Sequence, residues 1–227
     1  MTRMSFPLGE WLPQSSAVNL LAGLFLLSAL AAVIQRRVAG AILGYAWNSR
    51  ALAAIAAVVA IATRTRHIWF AVALILATKG LLIPRLLRRA AAGGRARAEA
   101  EPFVGATSAM LLCGGLVVIG FTQTRELFGA SRTILASCLP ISVAVALVGL
   151  FQMVSHRAAL AQVVGLVLIE NAIFLAAISL TYGMPLVVEM GVLLDVLAGV
   201  ALLGFFVGRI EESFESADTS LLTSLKG

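Results

Sequence analysis

The stretch GLVLIENAIFLAAISLTYGMPLVVEMGVLLDVLAG, residues 165–199, decides how the chain is read. It consists of two apolar runs joined by a tight Tyr182-Gly183-Met184-Pro185 turn, and it reads as two membrane helices. Three carboxylates, Glu170, Glu189 and Asp195, lie inside those runs. A charge at mid-bilayer costs roughly 2.5–3.5 kcal/mol on insertion scales. A bare anchor offers nothing to offset that cost, so these acids need partners or a task.

The rest of the chain has the same character. Of its 227 residues 60% are hydrophobic and only 12% charged, with a mean hydropathy of +1.00. A soluble domain carries about twice that charge. The composition predicts an all-α membrane protein. The sequence pI is about 10.3, but the arginines cluster between apolar runs rather than among aromatics. That pattern suits loops at anionic headgroups, not a nucleic-acid surface. Cys113 and Cys138 both lie within apolar runs, as small packing residues.

Runs of about twenty apolar residues suffice to cross a bilayer. Seven are expected, near 17–35, 42–62, 67–87, 103–122, 133–154, 161–182 and 186–208. The first lacks the basic start and cleavage site of a signal peptide and is taken as a span. Trp47, Asn48 and Arg50 interrupt the start of the second, which begins either near residue 42 or only at Ala51. Trp11, Trp47 and Trp69 are assigned to interface belts.

Connections after odd-numbered spans, with the tail, hold Arg36, Arg37, Arg50, Arg85, Arg88, Arg89, Arg95, Arg97, Arg157, Arg209 and Lys226. The other side holds Arg3, Arg64, Arg66, Arg125 and Arg132. Eleven against five predicts an amino terminus outside and a carboxyl terminus in the cytoplasm. The expected organisation is a three-span front part over residues 1–90 and an Arg/Ala/Gly-rich cytoplasmic connection over 91–102. A four-span part over 103–210 and an acidic tail over 211–227 follow.

Gly191, Asp195 and Gly199 fall four apart, on one helical stripe that lets another helix approach closely. Packing explains the glycines but not the acid. With the turn centred near residue 184, Asp195 lies level with Ile173, and Glu170 three residues lower, about 4.5 Å away along the axis. Glu189 sits nearer the outside. Either each acid merely hydrogen-bonds a neighbouring helix, or the acids form a proton or ion route. Lys79 lies deep in the third span, ahead of Pro84, which should kink the helix. It either snorkels toward Arg85 or pairs with a membrane acid, and the paired arrangement makes a switchable proton carrier. Asn171 either bonds across helices or hydrates Glu170. His67 and His156 stand at span boundaries without metal-ligand spacing. No phosphate-cradling loop, nucleophile elbow or paired-cysteine cluster occurs. The chain itself offers no catalytic, cofactor-binding or metal-binding motif.

With Glu170-Asn171, the Tyr-Gly-Met-Pro turn, Asp195 and Lys79 in view, the chain resembles hydrogenase-4 component E. That family comprises membrane subunits of group 4 [NiFe]-hydrogenase-type complexes. The resemblance covers most of the chain and is densest in Leu166–Ala176 and Val188–Val200. The last three spans are also similar to the K-type subunit of complex I and the C-type subunit of Mrp cation/proton antiporters. In those families two acids on consecutive helices belong to a proton-relaying axis. Two departures stand out: Glu170 comes nearly a turn later than the K-type acid, and Asp195 replaces a glutamate. The resemblance implies a non-catalytic subunit of an energy-converting oxidoreductase in a bacterial or archaeal inner membrane. It implies antiporter-like and hydrogenase-anchoring membrane subunits as partners, with lipid around and no nucleic acid. It implies Glu170, Asp195 and Lys79 as proton-pathway residues, to which the reading of the spans adds Glu189 and Asn171, with Gly191 and Gly199 for packing. A free-standing cation/proton antiporter is the alternative. A retinal pump needs a lysine in the last span, and 186–208 has none.

Overall fold

The computed structural model describes residues 8–63, 66–93, 103–128 and 138–181. Its regular elements are helices: α1 (Leu8–Ile34), α2 (Val38–Thr63), α3 (Arg66–Ile75), a π-helical turn (Leu76–Leu82), α4 (Ile83–Gly93), α5 (Ala106–Phe128), α6 (Cys138–Ser155) and α7 (Ala159–Thr181). α3, the π turn and α4 run on without interruption. Six stretches are long and apolar enough to cross a membrane: Ser16–Ile34, Val38–Ala62, Trp69–Ala91, Ala106–Thr124, Cys138–Ser155 and Ala159–Leu180. The protein is therefore a multi-pass helical membrane protein. The seventh expected span, 186–208, lies outside the described residues.

Three-residue connections at 35–37 and 156–158 force their flanking helices to run antiparallel. α2 is the hub, packing on α1, α3, the π turn, α4 and α7, while α6 packs on α1, α5 and α7. The front and back parts of the chain thus share one core, which includes Phe25, Tyr45, Leu52, Val148, Leu168 and Leu175. Helices in lipid have no hydrophobic drive to associate with one another, so close backbone approach through small residues must supply the packing. That approach is visible at two crossings. A Cβ on Gly44 would lie 2.8 Å from the Ala32 Cα, and one on Gly165 would lie 2.7 Å from the Gly149 carbonyl oxygen.

The second span differs from both sequence expectations. α2 is continuous from Val38, so Trp47, Asn48 and Arg50 sit in mid-helix rather than at a boundary. A helix in lipid tolerates Asn48 because it turns inward and finds partners there. Trp47 is consequently not in an interface belt. Arg50 also leaves the cytoplasmic tally, which becomes ten (11 − 1) against five and keeps its sign. The basic band is marked instead by exposed Arg36 and Arg37 and by exposed Arg85, Arg88 and Arg89 on α4.

The α6–α7 corner is tied to the start of α5. The Phe103 N–H donates to the Ser155 carbonyl at 2.9 Å, and the Arg157 guanidinium stacks on the Phe103 ring at 4.4 Å. Gln152 is fully buried there and donates to the Ala161 carbonyl at 3.2 Å. His156 is buried beside it, with Nδ1 3.1 Å from the Gln152 carbonyl. A carbonyl only accepts, so the neutral ring carries its proton on Nδ1. Burial pushes the His156 pKa below the usual 6.5, partly opposed by that hydrogen bond. The unfolded chain then binds more protons than the folded one between the two pKa values. Stability tied to this corner is full above about pH 6.5 and falls as the pH drops through that value toward the lower folded pKa. Thermal unfolding at pH 7.5 and 5.5 should show the loss, and His156→Gln should shrink the difference between the two pH values.

Candidate functional site

Mid-bundle polar residues meet where α2, the π turn and α7 pack together. Glu170 is 11 residues after Ala159 and 10 before Leu180, so it stands at the centre of its span. The Lys79 Nζ lies 3.3 Å from the Glu170 Oε1, with side-chain exposures of 1% and 8%. Lys79 thus turns inward to the acid rather than snorkelling toward Arg85.

The path of the third span makes this possible. Pro84 has no N–H and cannot continue an α-helical ladder. Ahead of it the helix widens into the π turn, where the Ile83 N–H bonds to the Thr78 carbonyl, five residues back. Lys79 and Gly80, adjacent in sequence, are both buried within that turn. Such turns recur at functional sites because they redirect a side chain without ending the helix. The expectation of a proline kink is therefore refined to a π-helical widening one turn upstream. Thr78 Oγ1 donates to the Leu74 carbonyl at 2.7 Å and so does not compete for the pair.

Asn171 faces α2. Its amide Nδ2 donates to the Asn48 Oδ1 at 2.9 Å and to the Ser49 Oγ at 3.0 Å. Asn48 in turn donates from its Nδ2 to the Phe25 carbonyl at 2.7 Å. The carbonyl fixes the direction of the whole row: it requires the amide of Asn48, which leaves Oδ1 for Asn171. The three side chains Asn48, Ser49 and Asn171 are all fully buried. One row of hydrogen bonds therefore locks α1, α2 and α7 at the depth of the ion pair. Asn48→Leu should leave the Asn171 amide short of a partner and cost about 1–3 kcal/mol. A thermal-unfolding comparison with the unaltered chain checks this, and an unchanged midpoint would count against the row as a structural tie.

Phe174 is a participant that charge-based reading passes over. It lies one turn beyond Glu170 on α7, and the Lys79 Nζ sits 5.7 Å from its ring centroid. An aromatic face attracts a cation at this distance. Among the described residues, Glu170 and Phe174 thus both attract the ammonium from the same face of α7. Asn48, Ser49 and Phe174 are site residues without a sequence signal, because a lone amide, a serine and a phenylalanine carry no motif. Asp195, Glu189, Gly191 and Gly199, also expected at the site or in its packing, lie outside the described residues. No group of three or more His, Cys, Asp or Glu side chains with the makings of a metal site occurs among the described residues.

A lysine–glutamate pair is thus buried at the centre of a multi-pass bundle. Comparison with known proteins adds the family. Hydrogenase-4 component E of Escherichia coli strain K12 is 29% identical over 94% of this chain and 99% of its own length. The component E protein of Shigella flexneri shows the same identity and coverage. An uncharacterised Mycobacterium tuberculosis protein, Rv0085, is 33% identical over 93% of this chain and 97% of its own length. The chain belongs to the hydrogenase-4 component E family. Near-complete coverage in both directions means that the α1–α4 region is included in the similarity to component E. No family model matches the chain. No solved structure matches it either.

Proposed function

We propose that this chain is a non-catalytic membrane subunit of an energy-converting, hydrogenase-type oxidoreductase, and that its mid-membrane polar residues line part of a proton or cation path. Membership of the component E family supports the first part, since those relatives are named as hydrogenase components. The observation that carries the second is the Lys79–Glu170 pair, 3.3 Å apart at the centre of two adjoining spans. Intramembrane charges of this kind mark ion paths and proton relays.

The chemistry follows from the two groups. When the Glu170 carboxylate takes up a proton it becomes neutral, and its hold on the Lys79 ammonium lapses. The ammonium then donates its proton to an acceptor further along and returns as an amine. Transfer of the Glu170 carboxyl proton to the Lys79 amine then recharges both groups and restores the pair, so that one proton has entered and one has left. Asn171 keeps α7 in register through Asn48 and Ser49 while this happens. Asp195 and Glu189, on the next expected span, are the acids proposed to continue the route, with Gly191 and Gly199 permitting close approach of a neighbouring helix. Electron transfer and hydrogen chemistry belong to the other subunits in this reading, and the cell membrane is its site.

The test is gentle solubilisation of the tagged chain from its own membranes. Stoichiometric recovery with hydrogenase-type and antiporter-like subunits is expected. A monodisperse monomer that moves ions in liposomes without other chains would overturn the subunit reading and favour a free-standing transporter.

A further inference from the structure

Arg50 stands at the middle of a membrane span and on its outer surface. It is 12 residues from each end of the Val38–Ala62 span (50 − 38 and 62 − 50). At 1.5 Å per residue, about 18 Å of helix separates it from either end. The hydrogen-bonded row gives the same depth independently: Asn48 and Ser49 join Asn171, next to Glu170 at the centre of α7. Long basic side chains reach the headgroups only from near helix ends. Arg50 is too deep for that.

The other sides of α2 are already in use. Asn48 and Ser49 turn to α7, and Ile42, Tyr45 and Leu52 are fully buried core residues. Leu43, Trp47, Arg50 and Ile61 form the exposed stripe, spaced by 4, 3 and 11 residues, which is one helical face. Trp47 is 58% exposed and Leu43 46%. The Arg50 guanidinium rests 5.1 Å from the centroid of the Trp47 ring, and no carboxylate pairs with it among the described residues. A contact with an aromatic ring supplies no hydrogen-bond acceptor to the fork of N–H donors. That planar fork matches a carboxylate in bidentate fashion. Exposed arginine in hydrocarbon is costly, whereas an arginine paired with an acid across an interface is not left to lipid.

We propose that the Leu43–Trp47–Arg50 face of α2 docks a transmembrane helix of another subunit, and that this helix carries an Asp or Glu at mid-membrane depth paired with Arg50. Charge complementarity sets the chemistry of the partner, and the flanking Leu43 and Trp47 require an apolar helix around that acid. Lipid phosphate cannot supply the anion, since it stays at headgroup depth. The inference rests on the chain being a subunit of a complex, but not on proton translocation.

The test uses the intact complex, with a photo-crosslinking amino acid in place of Leu43 so that Arg50 is kept. An adduct is expected with a hydrophobic segment of a second subunit, within one helical turn of an Asp or Glu. Arg50→Glu should then lower the recovered complex about thirtyfold, in line with a disrupted buried charge pair. Reversing the identified acid to Arg should restore it. Adducts only with lipid, or with residues 182–227 of the same chain, would overturn the docking surface, as would full recovery of the Arg50→Glu complex. If the unaltered chain yields no complex at all, the subunit reading falls first and takes this surface with it.

Discussion

Lys79→Met and Glu170→Leu, made singly, are each expected to destabilise the bundle by about 3–5 kcal/mol, and the two together by less than either alone. Each single change removes the partner 3.3 Å away and leaves the other charge buried, and breaking a buried pair costs more than the intact pair contributes. Replacing both with apolar side chains removes the pairing and the desolvation penalty together. Glu170→Leu should be the milder of the two. The ammonium it leaves behind still faces the Phe174 ring at 5.7 Å, an attraction of about 0.5–2 kcal/mol. Lys79→Met removes the cation 3.3 Å from the Glu170 carboxylate, and an aromatic face offers an anion no comparable attraction. Unfolding midpoints of the four proteins in one detergent, arranged as a double-mutant cycle, measure the coupling. Additive effects would mean that the 3.3 Å contact carries no energetic weight.

Gly165→Leu should do damage of similar size by a different route. A Cβ at this position meets the Gly149 carbonyl oxygen at 2.7 Å, the Met153 Cγ at 2.7 Å and the Met153 amide nitrogen at 3.0 Å. Met153 can move its side chain, but two of the three obstacles are backbone. The α6–α7 crossing must therefore open. Overpacking usually costs about 1–3 kcal/mol, and a backbone obstacle belongs at or above the top of that range. Because α7 carries Glu170 and Asn171, the opening should also weaken the Asn171 bonds to Asn48 and Ser49. Reduced assembly together with faster hydrogen exchange in α7 is the expected result. A fully assembled Gly165→Leu protein would show that this crossing has slack the geometry does not suggest.

The helical membrane fold was legible because 20-residue apolar runs have few other uses, and the charges within them stood out for the same reason. Glu170 and Lys79 could be singled out one at a time. That Lys79 pairs with a membrane acid was legible as one of two alternatives, but the choice between them was not, because it depends on a π turn whose only sequence trace is Gly80 ahead of Pro84. α2 was the hardest segment. Trp47, Asn48 and Arg50 look like a boundary when read along a line, but on a helix they point in different directions. Asn48 enters the hydrogen-bonded row, while Trp47 and Arg50 share the outer face. Gly149 and Gly165 carry the α6–α7 crossing yet have no charged neighbour to draw attention. Gly191 and Gly199 stand out in the sequence because Asp195 lies between them.

The central claim is that the Lys79–Glu170 pair moves protons rather than merely holding helices together. The most direct test is the proton-to-electron ratio of the purified complex in sealed vesicles, measured with the Lys79→Met/Glu170→Leu double variant against the unaltered complex. The double variant is the right probe because it should assemble without a stranded charge. The account predicts that electron transfer continues or slows while proton translocation per electron falls sharply. An assembled double variant that pumps with an unchanged ratio would contradict it.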